Sequence, residues 1–146
     1  MKKFIWTILL LAVTGCAAQQ SKLVWRVKDF VLSSGSEVGL VAPSGQAVLT
    51  VPTRALQEML LAHIRISRTA NVQSELYIAE GDAPNAFAGA DINGRQIIGI
   101  NLGMVKLIGE DRNEFAALIG HEAAHLARGH SDSSRLRSNT LKGGKR

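Results

Sequence analysis

The sequence predicts an α+β fold: a small mixed or antiparallel sheet packed by two helices, one near residues 54–66 and one near residues 112–129. Three observations lead there. Short alternations of apolar and polar residues recur in "KLVWRVKDFVL", "VGLVAPSGQAVLTV", "ELYIA" and "QIIGIN", the period of half-buried strands. Two longer segments, "TRALQEMLLAHIRIS" and "NEFAALIGHEAAHLARGH", repeat apolar residues at intervals of three and four, the period of an amphipathic helix. Glycine, proline and asparagine punctuate the gaps between them, and a chain of 146 residues holds one small domain.

The first sixteen residues, "MKKFIWTILLLAVTGC", are not part of that domain. Lys2 and Lys3 precede an apolar run over residues 4–13 and a small-residue end, the layout of an export signal, and the run is too short to be a stable bilayer span. The end "VTGC" resembles the lipobox of bacterial lipoproteins. That resemblance implies cleavage after residue 15 and lipid attachment at Cys16; an ordinary cleaved signal, or a signal anchor with an incidental cysteine, is the alternative. Cys16 is the only cysteine, so the fold uses no internal disulfide. Ala17 rather than an aspartate follows it, which in Gram-negative lipoproteins implies the outer membrane. The expected place is therefore the bacterial cell envelope, lipid-anchored and facing the periplasm. The expected division of the chain is a signal peptide over 1–15, a lipidated tether over 16–21, a domain over 22–130 and a basic disordered tail over 131–146.

The formal charge of +5 does not indicate nucleic-acid binding. Two of the lysines leave with the signal, much of the remainder sits after residue 134, and no aromatic-plus-basic cluster suited to stacking bases occurs.

Within the domain, a strand is expected in "KLVWRVKDFVL", a turn at "SSGS", and a hairpin about Pro43, Ser44 and Gly45. Thr53 is a candidate N-cap for the first helix, whose apolar face gathers Leu56, Met59, Leu60, His63 and Ile64. A histidine on such a stripe reads as a partly buried structural residue. "ELYIA" and "QIIGIN" are strands flanking a loop with a short extended centre, and "LGMVKLIG" is a short helix. Asp111 and Glu114 form an acidic capping box for the last helix, which Gly129 ends.

The chemistry lies on that last helix. His121 and His125 are four residues apart, so both imidazoles project from one face a turn apart and can reach a single zinc. Glu122 lies about 60° round the helix from His125, placed to act on a metal-bound water without ligating. A polar triad cut into an apolar helix is costly unless satisfied, and a metal satisfies it.

These residues, in "NEFAALIGHEAAHLARGH", resemble the active-site helix of the gluzincin peptidases of the HtpX, Oma-type and CAAX prenyl protease kind. "PNAFAGA" and "IIGINLGMVKLI" match the family's upstream elements in order and spacing, and the resemblance covers roughly residues 56–130. It implies the front half of a zincin-like fold and a zinc-dependent metalloendopeptidase that hydrolyses protein or peptide substrates. It implies one zinc ion held by His121 and His125, with Glu122 as the catalytic base. It also implies an edge strand of Asn85, Ala86, Phe87 and Ala88 that binds substrate.

The resemblance further implies a third ligand, a glutamate on a later helix. No glutamate occurs in the 21 residues after His125. Asp132 would lie about 10 Å along the helix and His130 points about 140° away from His125. Glu114 is also about 10 Å off. The sequence therefore leaves two functional expectations open: a membrane-anchored zinc metalloendopeptidase, or a catalytically impaired or truncated relative acting as a binding or chaperone-like lipoprotein. Missing later helices would leave apolar surface for self-association or a partner subunit; the other partners are the substrate and, through Cys16, the membrane.

Overall fold

The computed structural model describes residues 22–32 and 34–129. The expected signal peptide over 1–15, the lipidated tether with Cys16, and the tail over 131–146 lie outside these residues, as do His130 and Asp132. The architecture is α+β, with six strands and three α-helices among the described residues.

β1 (Leu23–Arg26) is shorter than the sequence suggests. The chain leaves the sheet because Val27 is fully buried and a 3-10 turn over Val27–Asp29 closes there, Phe30 N donating to Val27 O at 3.1 Å. β2 (Glu37–Val41) and β3 (Ala47–Pro52) form the expected antiparallel hairpin. Buried Val38 and Leu40 alternate with exposed Glu37, Gly39 and Val41, so one face of the hairpin joins the core. Trp25 ties the two sheets together, its indole Nε1 donating to Val41 O at 3.0 Å.

α1 (Thr53–Ala70) runs a turn further than its sequence signals. Asn71 ends it in the left-handed conformation at φ 53°, with Asn71 N donating to Arg68 O and Val72 N to Ser67 O, the hydrogen-bond pair of a Schellman cap. Thr53 is not its N-cap. The Thr53 hydroxyl donates instead to Gly35 O at 2.6 Å, and Thr53 N donates to Ser36 O, so the threonine clamps the helix start to the turn before β2. The buried stripe is Ala55, Leu56, Met59, His63 and Ser67. Leu60 is half-buried and Ile64 is exposed, so the face is turned slightly from the expected one toward Ala55 and Ser67.

β4 (Ser74–Ala79), β5 (Ala86–Ala90) and β6 (Gln96–Asn101) join β1 in a four-stranded mixed sheet of order β1-β4-β6-β5. β4 and β6 are parallel, while β1 and β5 run antiparallel to their neighbours. Leu76, Ile78, Ile98, Ile100 and Ala88 form the buried face of this sheet. It shares one core with Leu56 and Met59 of α1 and with Phe115, Ile119, Ala123 and Leu126 of α3 (Arg112–Ala127). α2 (Leu102–Ile108) is the short link between β6 and α3, closed by Gly109 at φ 64°. No helix of the described residues is long and apolar enough to cross a membrane.

Candidate active site

α3 starts where the sequence places it. Asp111 Oδ1 accepts from Asn113 N at 2.8 Å and from Glu114 N at 3.2 Å, covering two of the orphan amides of the first turn. The capping box is only half made, because Asp111 N donates to Ile108 O rather than to Glu114. Inward-facing Phe115, Ile119, Ala123 and Leu126 fix the rotation of the helix, and that rotation decides where the three polar residues point.

His121 is exposed and His125 half-buried, while Glu122 is buried at 7% exposure, on the flank that turns toward the core. The two imidazoles meet edge to face, with ring centroids 4.7 Å apart and planes at 80°. Their Nε2 atoms are 3.1 Å apart and share one hydrogen bond. Two imidazole nitrogens at about 2.0–2.1 Å from one tetrahedral zinc stand about 3.3 Å apart. The Nε2 separation is therefore within a few tenths of an ångström of that spacing. Among the described residues, no third histidine, cysteine, aspartate or glutamate gathers with them into a group that could hold a metal.

The second part of the site is β5, which lies beside α3 and forms an edge of the sheet. Its hydrogen bonding follows from the register. Asn101 N donates to Asn85 O and Asp91 N to Arg95 O, and each pair is directly opposed in the β5–β6 register. Hydrogen-bonded and non-bonded pairs alternate in an antiparallel ladder. Asn85, Phe87 and Gly89 therefore turn their amide groups toward β6, and Ala86, Ala88 and Ala90 turn theirs outward.

The side chains divide the same strand by face. Ala86 and Ala88 belong to the core side, which the helices cover. The Phe87 ring lies over Gly99 on the opposite side, where any side chain at Gly99 would overlap it. Of the four residues expected to meet substrate, Ala86 and Ala88 thus have their amide groups on the side away from β6, and Asn85 and Phe87 have theirs on the β6 side.

His63 is buried at 6% exposure, and its Nε2 hydrogen-bonds Ser74 Oγ at 2.9 Å. Burial holds this imidazole below its ordinary pKa, against a smaller opposing pull from Glu75. It joins α1 to β4 and is a structural residue, as its place on the helix stripe suggests. A cavity of about 240 Å³ between the first turns of α1 and α3 is lined by Arg54, Ala55, Glu58, Glu110 and Arg112. It contains none of the three motif residues, so it is no guide to the chemistry. Sequence reasoning missed Asn101, which is buried at the end of β6; nothing in its spacing marks it.

The structure thus sets an H-E-x-x-H helix beside an edge strand of the sheet. Residues 51–142 match Peptidase family M48, more than half of the chain, and the chain belongs to that family. It is 41% identical over 78 residues to "Protease HtpX homolog" of Thermoplasma acidophilum, a match covering 51% of this chain and 24% of that protein. It is 32% identical over 88 residues to "Protease HtpX" of Stenotrophomonas maltophilia, covering 59% and 30% respectively. A "Protease HtpX homolog" of Acidovorax ebreus is 32% identical over 87 residues, covering 58% and 29%. The chain spans less than a third of the length of these relatives.

Proposed function

We propose that the chain carries the catalytic helix and substrate edge of a zinc-dependent metalloendopeptidase. The observation that carries this is the convergence of His121 and His125 Nε2 to 3.1 Å with Glu122 between them in sequence. His121 and His125 would hold the zinc. When bound, the ion supplies Lewis acidity, which polarises a peptide carbonyl and acidifies a water. Glu122 takes the proton of the attacking water and returns it to the departing amine nitrogen. Its buried position on the flank of the helix strengthens its electrostatic interactions compared with those in open solvent. Ala86 and Ala88 pair with the backbone of an extended peptide, a mode of binding that accepts many sequences.

The protein would sit in the bacterial envelope, probed as a lipoprotein anchored through Cys16; the "VTGC" signal supports this. Labelling cells with a radioactive fatty acid tests it, with label lost in Cys16→Ala and retained by the unaltered chain.

A second reading is a catalytically impaired relative that binds zinc weakly and works as a binding or chaperone-like lipoprotein. The two readings separate on purified protein. The metallopeptidase binds one zinc per chain, loses it in His121→Ala, and hydrolyses casein about 10²- to 10⁴-fold faster than Glu122→Gln, the usual weight of a general base. Substoichiometric zinc, with equal hydrolysis by the unaltered chain and Glu122→Gln, supports the second reading.

A further inference from the structure

We propose that Asn101 is a positioning residue for the substrate edge, holding the start of β5 in register beside the catalytic helix; the functional part of this rests on the metallopeptidase reading. Asn101 closes β6 and stands at the N-cap of α2. An asparagine there ordinarily accepts a hydrogen bond from the first turn of its helix. This one makes no capping bond. Its Nδ2 reaches back instead and donates to Ala83 O at 3.1 Å.

That bond completes a series. Gly103 N donates to Gly81 O at 2.9 Å, Asn101 Nδ2 to Ala83 O at 3.1 Å, and Asn101 N to Asn85 O at 3.0 Å. The acceptors are every second carbonyl of the segment leading into β5. The carboxamide stands in for a strand rung where β6 has ended, and it extends the ladder through the loop. Two glycines make the approach feasible. A side chain at Gly103 would overlap Asp82 O, and one at Gly81 would come within 2.8 Å of Asn101 Nδ2. Gly81 also holds φ at 132°, a conformation that other residues rarely adopt.

Asn101 is 4% exposed, and its Oδ1 has no hydrogen-bond partner among the described residues. A buried unsatisfied acceptor costs stability. An apolar residue would avoid that cost, and a capping aspartate would suit α2 better. The donor to Ala83 O is what neither replacement supplies. Because Asn85 and Ala86 follow directly, the lacing sets where the outward amides of β5 begin.

The test uses the full zinc-treated chain carrying Glu122→Gln, so that bound peptide is not cleaved, with and without Asn101→Asp. The aspartate has the same shape but cannot donate to Ala83 O when ionised. Loss of one hydrogen bond corresponds to about tenfold in an equilibrium. The Phe87 and Gly89 amides should therefore exchange with deuterium about tenfold faster in Asn101→Asp, while the α3 amides exchange as before. The affinity for a fluorescent extended casein peptide, read by anisotropy, should fall by a similar factor. Asn101→Ser, which avoids a buried carboxylate, should show the same pattern if the aspartate variant does not fold. Unchanged β5 exchange in a folded variant would overturn the proposal, as would equal loss of protection in α3, since Asn101 would then serve overall stability only. If the Glu122→Gln parent binds no peptide, the metallopeptidase reading fails, and the exchange pattern still decides whether Asn101 holds β5.

Discussion

His63 and His121 are both histidines on helix faces, and their surroundings are opposite: His63 is buried, while His121 is exposed beside His125. Spacing made this legible: a lone histidine within an apolar stripe is expected to be packed, whereas two at an interval of four with a glutamate between have a shared target. His63 is buried and kept below its ordinary pKa by desolvation. The nearby Glu75 carboxylate opposes that effect more weakly. The folded state thus holds His63 neutral while the unfolded chain takes up a proton near the ordinary value of about 6.5. Stability contributed by the neutral ring is complete above that pH and is lost as pH falls toward the depressed folded value. Urea unfolding at pH 7 and pH 5 should show a smaller loss of stability for His63→Gln than for the unaltered chain. Parallel losses would mean that His63 does not carry the linkage. Asn101 shows the limit at this scale: its role depends on which carbonyl the chain brings back to it, and local sequence does not specify that.

Most elements were readable because their periodicity is strong. By residue pattern β5 was visible only as the extended centre of a loop, since "AFAGA" offers mainly alanine and glycine, residues with little strand preference; the edge strand was expected from the family resemblance alone. Its strand character comes from pairing with β6, and its direction and edge position follow from the register. Thr53 misled for a related reason: its hydroxyl satisfies a carbonyl 18 residues upstream, a partner outside any local window. Asp111 did not mislead, because the amides that donate to it lie two and three residues ahead. The alternation of amide directions in β5 predicts unequal tolerance of proline. Ala86 directs its N–H outward, so Ala86→Pro should melt within a few degrees of the unaltered chain. It should nevertheless bind an extended peptide about tenfold more weakly, having lost an edge donor. Phe87→Pro removes a ladder bond and uncovers Gly99, and should cost about 1–3 kcal/mol from the orphaned acceptor alone. Thermal melts read alongside peptide anisotropy check this, and equal stability of the two variants would refute the assigned amide directions.

At the scale of the whole molecule, the α+β class and the order of elements were legible, but the parallel pairing of β4 with β6 was not. Parallel neighbours usually require a helical crossover, and here the connection instead contains the edge strand itself. The result places β5 and α3 on adjacent borders of one core, so the histidine pair and the outer edge of β5 are fixed by the same packing of Phe115, Ile119, Ala123, Ala88 and Ile98. On the metallopeptidase reading, metal binding at His121 and His125 would be linked to global folding, because the unfolded chain does not hold the two rings 3.1 Å apart. A ligand that binds only the folded state at 100 times its dissociation constant adds about 2.7 kcal/mol. For a domain of this size that raises the melting temperature by on the order of 10 °C. Zinc titrated into the chain should thus raise its melting temperature progressively, and His121→Ala or His125→Ala should abolish the rise. Magnesium, which favours oxygen ligands, should leave the melt unchanged. A rise that persists in both histidine variants would place the zinc elsewhere and remove the central support for the metallopeptidase reading. A zinc-dependent rise confined to the unaltered chain, together with casein hydrolysis lost in Glu122→Gln, would join folding, metal and chemistry on α3.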